Sequence, residues 1–146
     1  RKCQYRLAGG AGEAEGQSGL AVLGRRSRIR AARMQISAIP FDTTDWSKIE
    51  PTRHAGTTGE ALWRTRHVGP AENQIRVRMV EYTPGYVADH WCQKGHVLLV
   101  LEGELETTLA DGRVFLLKPG MSYQVADGAE AHMSRTTTGA KLFIVD

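Results

Sequence analysis

The feature that most constrains this chain is a series of short strand-like segments separated by turn residues. Apolar and polar residues alternate from Ala61 to Val68 and again from Gln74 to Tyr82, which is the pattern of a strand whose two faces meet different surroundings. Asp111-Gly112 supplies the positive φ angles of a tight hairpin turn. The shorter segments that follow are 97–101, 104–109, 114–117, 122–125 and 141–145. Because no amphipathic helical pattern of about 10 residues interrupts them, the sequence predicts an all-β sandwich or barrel.

The first 33 residues differ in composition from the rest of the chain. They are rich in Gly, Ala and Arg, carry eight Lys or Arg against two Glu, and contain few large apolar side chains. Such a segment buries too little surface to offset the entropy of ordering. We therefore expect residues 1–33 to be a disordered or extraneous leader, with Met34 as the true start and residues 34–146 as one domain. An organelle transit peptide and an arginine-rich arm for nucleic acid are the alternatives for this leader.

Charge and hydropathy narrow the range of partners for the domain. Residues 34–146 contain 11 Lys or Arg and 14 Asp or Glu, so we expect no nucleic acid binding, which requires clustered positive charge. No segment approaches the roughly 18 consecutive apolar residues of a membrane-spanning helix. The two cysteines, Cys3 and Cys92, are too few for a disulfide framework. A reduced Cys92 suits a cytoplasmic protein.

Three histidines and a cysteine form a candidate metal site. His90 and Cys92 are two residues apart, so on one strand they point to the same face, and His96 shares that parity if the strand continues. His132 follows the segment 122–125. Imidazole nitrogen and thiolate sulfur favour Zn, Fe, Ni or Cu over Mg or Ca. The spacing leaves the roles open, because Cys92 can equally be a small buried hydrophobic residue and His96 a core histidine.

Two segments resemble the motifs of the cupin family. Residues 85–103, GYVADHWCQKGHVLLVLEG, resemble the first cupin motif, and residues 120–132, GMSYQVADGAEAH, resemble the second. The residues at motif positions are Gly85, His90, Cys92, His96, Gly103, Gly120, Gly128 and His132. Cys92 stands in place of a histidine and His96 in place of a glutamate, and each change keeps a competent metal ligand. The run DHWC at 89–92 also resembles the small cupin group named for its DHCW motif, although here Trp precedes Cys.

The resemblance implies a cupin-type (jelly-roll) β-barrel over about residues 60–146. It further implies an interior divalent transition metal (Zn, Fe, Ni or Cu) on His90, Cys92, His96 and His132. Cupins with such ions are often enzymes on small molecules, so a dioxygenase-, isomerase- or hydrolase-like activity is one expectation. Because the sequence offers no general base apart from the candidate ligands, a non-catalytic barrel that binds or senses a metal or small ligand is the alternative. Fold alone does not decide between them.

Three further residues are candidates for the pocket around the metal. Asp89 is expected either to orient an imidazole or to be a solvated charge. His67 shares a strand face with Trp63, and Tyr123 is expected to face substrate or to close one end of the barrel.

Two pairs of residues are candidates for the outer surface of the domain. Arg76 and Arg78 alternate on one strand and would bind a carboxylate if they pointed inward, but arginines at this spacing more often form a solvated face. An apolar outer face at Leu99 and Leu101 predicts, together with the cupin resemblance, a homodimer.

Overall fold

The computed structural model describes residue 36 and residues 38–146 of the chain. The predictions for the leader, for Cys3 and for a start at Met34 lie outside these residues and stay predictions. Within the described residues, no helix has the length and apolar character that crossing a membrane requires. The helical segments that are described are two single 3₁₀ turns, Trp46–Lys48 and Ala71–Asn73.

The described chain is all-β, as predicted. Its strands are β1 (Thr52–Ala55), β2 (Glu60–Val68), β3 (Ile75–Tyr82), β4 (His96–Gly103), β5 (Leu105–Leu109), β6 (Val114–Leu117), β7 (Ser122–Val125), β8 (His132–Arg135) and β9 (Ala140–Val145). They form two antiparallel sheets, with strand orders β1-β2-β3-β9-β4-β7 and β6-β5-β8. The last strand, β9, inserts between β3 and β4, so distant parts of the chain meet in the centre of the larger sheet.

The core contains side chains from both sheets. The largest side chains with almost no exposure are Val80, Leu98, Val100, Leu105 and Leu142. Along β4, buried Leu98 and Val100 alternate with Val97, which is 51% exposed, so one face of the strand is interior. Burying each such side chain contributes roughly 1.5–3 kcal/mol relative to leaving it in water.

A glycine fixes the end of β4. Gly103 has a φ of +74°, which a residue with a side chain rarely adopts. A Cβ atom at this position would also come within 2.1 Å of the Gly139 carbonyl oxygen. Glycine at position 103 therefore lets β4 and the start of β9 approach each other more closely than any other residue type would permit.

The segment 83–95 between β3 and β4 runs beside β8 of the smaller sheet. Val87 forms an antiparallel bridge with Arg135, and Cys92 forms one with His132. Four residues lie between Val87 and Cys92, whereas two lie between His132 and Arg135. The two surplus residues must loop out of the ladder, as in a β-bulge. Regular alternation of side chains stops there, with consequences for the position of His90.

Candidate metal centre

Cys92 and His132 face each other across the bridge that joins the segment 83–95 to β8. The Cys92 N–H donates to the His132 carbonyl oxygen over 2.8 Å, and the His132 N–H donates to the Cys92 carbonyl oxygen over 3.0 Å. Residues paired directly in an antiparallel ladder project their side chains to the same face. On β8 that face is interior, since His132 is 3% exposed and Ser134 is 8% exposed. Both candidate ligands therefore point into the domain.

His96 reaches the same place from the larger sheet. It is the first residue of β4 and shares the parity of Leu98 and Val100, which are buried in the core. The preceding Gly95 donates its N–H to Asp127 Oδ1 over 2.8 Å. A Cβ atom on Gly95 would lie 2.5 Å from the Asp127 backbone nitrogen. The absence of a side chain at Gly95 thus sets where β4 begins, and with it the position of His96.

The three side chains converge. The ligand atoms of Cys92, His96 and His132 all lie within 4.8 Å of one another. The two imidazole ring centres are 4.9 Å apart, with their planes at 79°. Two ligands bound to one tetrahedral ion at about 2.0–2.3 Å each lie roughly 3.3–3.8 Å apart. Side-chain rotations that shorten these separations by about 1.5 Å or less would therefore bring all three atoms onto one ion.

Hydrogen bonds orient both imidazoles. His132 Nδ1 lies 2.9 Å from the Glu130 carbonyl oxygen, and because a carbonyl can only accept, Nδ1 is the donor. His96 Nε2 lies 2.9 Å from the Tyr123 hydroxyl. The other nitrogens, His132 Nε2 and His96 Nδ1, are buried and have no hydrogen-bond partner among the described residues. Since buried polar atoms are nearly always satisfied, both nitrogens are available to a ligand, as in histidines held for metal binding by a second hydrogen bond.

The same arrangement favours the thiolate form of Cys92. The neighbouring imidazole of His132, and next that of His96, lowers the pKa of Cys92 to about 5. In return, the neighbouring Cys92 sulfur raises the pKa of His132 above its ordinary value. At neutral pH the sulfur therefore carries a negative charge, which is the form that binds metal ions.

His90 lies apart from these three residues. It sits in the bulge, its side chain is 74% exposed, and its Nδ1 lies 2.6 Å from a carboxylate oxygen of Asp89. That hydrogen bond lowers the pKa of Asp89. The expectation that a single strand carries His90 and Cys92 is wrong, because the surplus residues of the bulge break the alternation. His90 nevertheless lines the cavity into which Cys92 points.

The other two pocket candidates occupy different places. Tyr123 lies on β7, lines the cavity and contacts His96 through its hydroxyl. Burial raises the pKa of Tyr123, so its hydroxyl remains protonated. His67 is exposed on β2 and lines a separate surface groove with Ile39 and Pro70.

A cavity of about 210 Å³ borders the converging side chains, and part of its wall was not predicted. That part comprises Trp63, Arg78 and Asp146, together with Arg76. The expectation of a solvated arginine face is wrong for Arg78, which is 5% exposed. It shares a face of β3 with the fully buried Val80, and β3 is an inner strand of the larger sheet. The alternation that places Arg78 with Val80 was the signal available in the sequence.

No protein-family model and no curated protein sequence matches this chain, but solved structures do. A predicted oxalate decarboxylase from Thermotoga maritima is similar over 71% of this chain and 96% of its own, with 21% identity and a TM-score of 0.59. An RmlC-like cupin from Shewanella frigidimarina is similar over 74% and 91%, with 20% identity and a TM-score of 0.54. Ectoine synthase from P. lautus is similar over 72% and 76%, with 17% identity and a TM-score of 0.58.

The chain has a cupin fold. Two antiparallel sheets, the order of the strands and these neighbours agree on that point. At such identities the likeness extends to the fold alone, and the resemblance to the DHCW group stays a prediction.

The donor set of this site fits a transition metal ion. Two imidazole nitrogens and a thiolate sulfur are ligands that Zn, Fe, Ni and Cu accept, whereas Ca and Mg require oxygen ligands. Cys92, His96 and His132 supply three donors, and a tetrahedral ion takes four. At least one coordination position is therefore left for a further protein ligand, for water or for a substrate.

Proposed function

We propose that this cupin binds a divalent transition metal ion on Cys92, His96 and His132, with His90 as a fourth ligand when it turns inward from the bulge. The observation that carries the proposal is the pair of buried, unpartnered imidazole nitrogens beside one thiolate. A thiolate–imidazolium pair alone would require only one of these nitrogens. The second unpartnered nitrogen favours an ion that contacts both rings.

Metal analysis of purified protein tests this proposal. After incubation with Zn²⁺, Fe²⁺, Ni²⁺ or Cu²⁺ and dialysis, we expect about one ion per chain in the wild type and a loss of binding in Cys92→Ala and His132→Ala. His67→Ala is the matched control, because His67 is an exposed histidine away from the cavity. A smaller loss in His90→Ala would identify His90 as the fourth ligand, and unchanged binding would exclude it. A wild-type chain that retains none of these ions would contradict the proposal.

We further propose that the cavity holds a small-molecule substrate and that the cupin is an enzyme. When bound, the ion would polarise a carbonyl oxygen or lower the pKa of a bound water. Cys92, His96 and His132 would hold the ion, and all three side chains line the cavity. Tyr123 keeps its proton and holds His96 in place. A dioxygenase-like reaction would require a redox-active ion such as Fe²⁺, whereas Zn²⁺ would support only isomerase- or hydrolase-like chemistry.

A non-catalytic barrel that binds or senses a metal or small ligand is the second candidate. One observation favours it. Asp146 is the only described residue with a side-chain carboxylate that lines the cavity. Arg76 and Arg78 both bind this carboxylate. It is therefore not free to act as a general base. Four-coordinate zinc that survives dialysis would support this function, whereas an ion with a position open to exogenous ligands would favour the enzyme.

We also propose that the chain forms a homodimer, through β6. Three consecutive apolar residues of this strand, Val114, Phe115 and Leu116, are 56%, 48% and 51% exposed. β6 is an edge of the smaller sheet, and exposed edges pair readily with other strands. Leu99 and Leu101, which were predicted to form the apolar face, are half-buried instead.

Sedimentation analysis over a range of protein concentrations tests the homodimer. We expect a dimer for the wild type and a weaker one for Phe115→Ser. Val97→Ser is the control, because Val97 is equally exposed but lies on the larger sheet. A wild-type chain that is monomeric at every concentration would contradict this proposal.

A further inference from the structure

The cavity wall near the proposed metal centre carries a second set of polar groups. Arg78 Nη2 donates to Asp146 Oδ2 over 2.5 Å. Arg76 donates to the same carboxylate through Nε and Nη2, over 2.6 and 2.8 Å. The Asp146 side chain is 1% exposed and that of Arg78 is 7% exposed. One side-chain carboxylate thus meets two guanidinium groups on this part of the wall.

Two hydrogen-bond donors in this set lack an acceptor. The Nε–H of Arg78 and the Nε1–H of Trp63 are buried and have no partner among the described residues. The guanidinium carbon of Arg78 lies 4.4 Å from the centre of the Trp63 ring, so the two side chains are in direct contact. Unpartnered buried donors are rare in native structures. An acceptor supplied by a bound molecule would satisfy both.

Two further charged groups line the cavity, the Cys92 thiolate and the Lys94 ammonium group. The Lys94 ammonium group lies 3.0 Å from Asp127, which is largely exposed. Asp146 is the only carboxylate among the described lining residues. The same cavity holds the unpartnered nitrogens of His96 and His132. One part of the wall therefore lacks a hydrogen-bond acceptor for Arg78 and Trp63, and another lacks a partner for the nitrogens of His96 and His132.

We propose that the cavity binds a small organic carboxylate, which accepts hydrogen bonds from Arg78 and Trp63 and directs a second oxygen toward Cys92, His96 and His132. The planar fork of a guanidinium group matches a carboxylate. The cavity of about 210 Å³ is smaller than the roughly 300–1,000 Å³ of sites for drug-sized ligands, so the anion must be short. The contact of the second oxygen rests on the proposed metal centre, whereas the anion contact depends on Arg78 and Trp63.

Calorimetric titration of the full chain, with and without zinc, tests this inference. The probes are glycolate, 3-hydroxypropionate and 4-hydroxybutyrate, each compared with its neutral amide. We expect at least one carboxylate to bind about tenfold more tightly than its amide or better, in the metal-free protein as well, and to bind more weakly as salt is added. Equal binding of carboxylate and amide at all three lengths would overturn the proposal.

The two proposals fail in different ways. Carboxylate binding by a chain that takes up no metal would contradict the metal centre and support the anion contact. Zinc uptake without any preference for a carboxylate would overturn the anion contact and support the metal centre.

Variants test the named residues with effects of opposite sign. Trp63→Phe keeps an aromatic ring but removes the Nε1–H, and Arg78→Gln removes the positive charge. We expect both substitutions to weaken carboxylate binding, and Arg78→Gln to weaken it by about tenfold or more. Because Arg78→Gln also removes a partner of Asp146, it can destabilise the fold. Asp146→Asn removes the competing carboxylate, and we expect it to tighten binding several-fold, which damage to the fold would not do.

Lys94→Gln is the matched control for charge. It removes a positive charge from a lysine that already pairs with Asp127, so carboxylate binding should change much less than in Arg78→Gln. Unchanged or weaker binding in Asp146→Asn would overturn the proposal, as would an equal loss in Lys94→Gln and Arg78→Gln.

Discussion

Gly95→Ala tests how closely the fold and the candidate metal centre are linked. An alanine Cβ atom at this position would lie 2.5 Å from the Asp127 nitrogen, 2.8 Å from the Ala126 carbonyl carbon and 3.1 Å from the Val125 carbonyl oxygen. The shortest of these is about 0.9 Å less than the 3.4 Å at which ordinary contacts begin. All three atoms belong to backbone, so the strain cannot be relieved by rotating a side chain.

The expected cost follows from overpacking. Forcing an extra carbon into a closely packed region costs about 1–3 kcal/mol, and we expect the free energy of unfolding of Gly95→Ala to fall by that amount. The backbone must move next to His96, while metal ligands must be held to within about 0.2 Å. We therefore expect zinc affinity to fall by about tenfold or more.

Urea denaturation and zinc titration of the same protein measure both effects. Gly112→Ala is the matched control, because a Cβ atom there meets nothing within 4 Å, although the φ of +91° is unfavourable for alanine. We expect this control to lose about 1–2 kcal/mol of stability and no zinc affinity. A Gly95→Ala variant as stable as the wild type, or one with undiminished zinc affinity, would refute the reasoning.

Three further predictions concern the core, the orientation of an imidazole and pH. Leu98→Ala, at a 1% exposed position, should lower the free energy of unfolding in urea by about 2–5 kcal/mol; a loss below about 1 kcal/mol would contradict the description of the core. Tyr123→Phe removes the hydroxyl that contacts His96 and should weaken zinc affinity by about 10–100-fold, measured by competition with a chelator; unchanged affinity would show that this contact does not orient the ring. Burial raises the pKa of Asp146, but hydrogen bonds and charges from the two arginines outweigh this and hold it below its ordinary value of 3.8. Asp146 should therefore stabilise the fold above about pH 4, and this contribution should vanish as pH falls through the lowered pKa. Thermal melts should show a steeper loss of stability in acid for the wild type than for Asp146→Asn, and parallel curves would contradict this ion pair.

Much of the fold could be predicted from the sequence, because strand alternation and turn residues are local signals. The segments 114–117 and 122–125 agree with β6 and β7, and the alternating segments that begin at Ala61 and Gln74 agree with β2 and β3 to within one residue. β8 was missed, since the four residues His132–Arg135 contain only one large apolar side chain and carry no strand pattern of their own. It is defined by pairing with β5, a contact that the sequence does not show.

The candidate site was predictable in part. The cupin resemblance placed His90, Cys92, His96 and His132 together, and the structure brings the last three side chains together. His90 lies apart, because parity arguments require an uninterrupted ladder and a bulge depends on the length of the partner strand. For Arg78 the sequence offered only the face that it shares with Val80, and that face is known to be interior only once β9 lies beside β3 and Asp146 is available to pair with it.

X-ray absorption spectroscopy of the zinc-loaded chain tests the central proposal most directly. The account predicts one sulfur ligand at about 2.3 Å and two or three nitrogen ligands at about 2.0–2.1 Å, with the sulfur absent in Cys92→Ala. Zinc surrounded only by oxygen and nitrogen in the wild type, or a spectrum that the Cys92 substitution leaves unchanged, would contradict it.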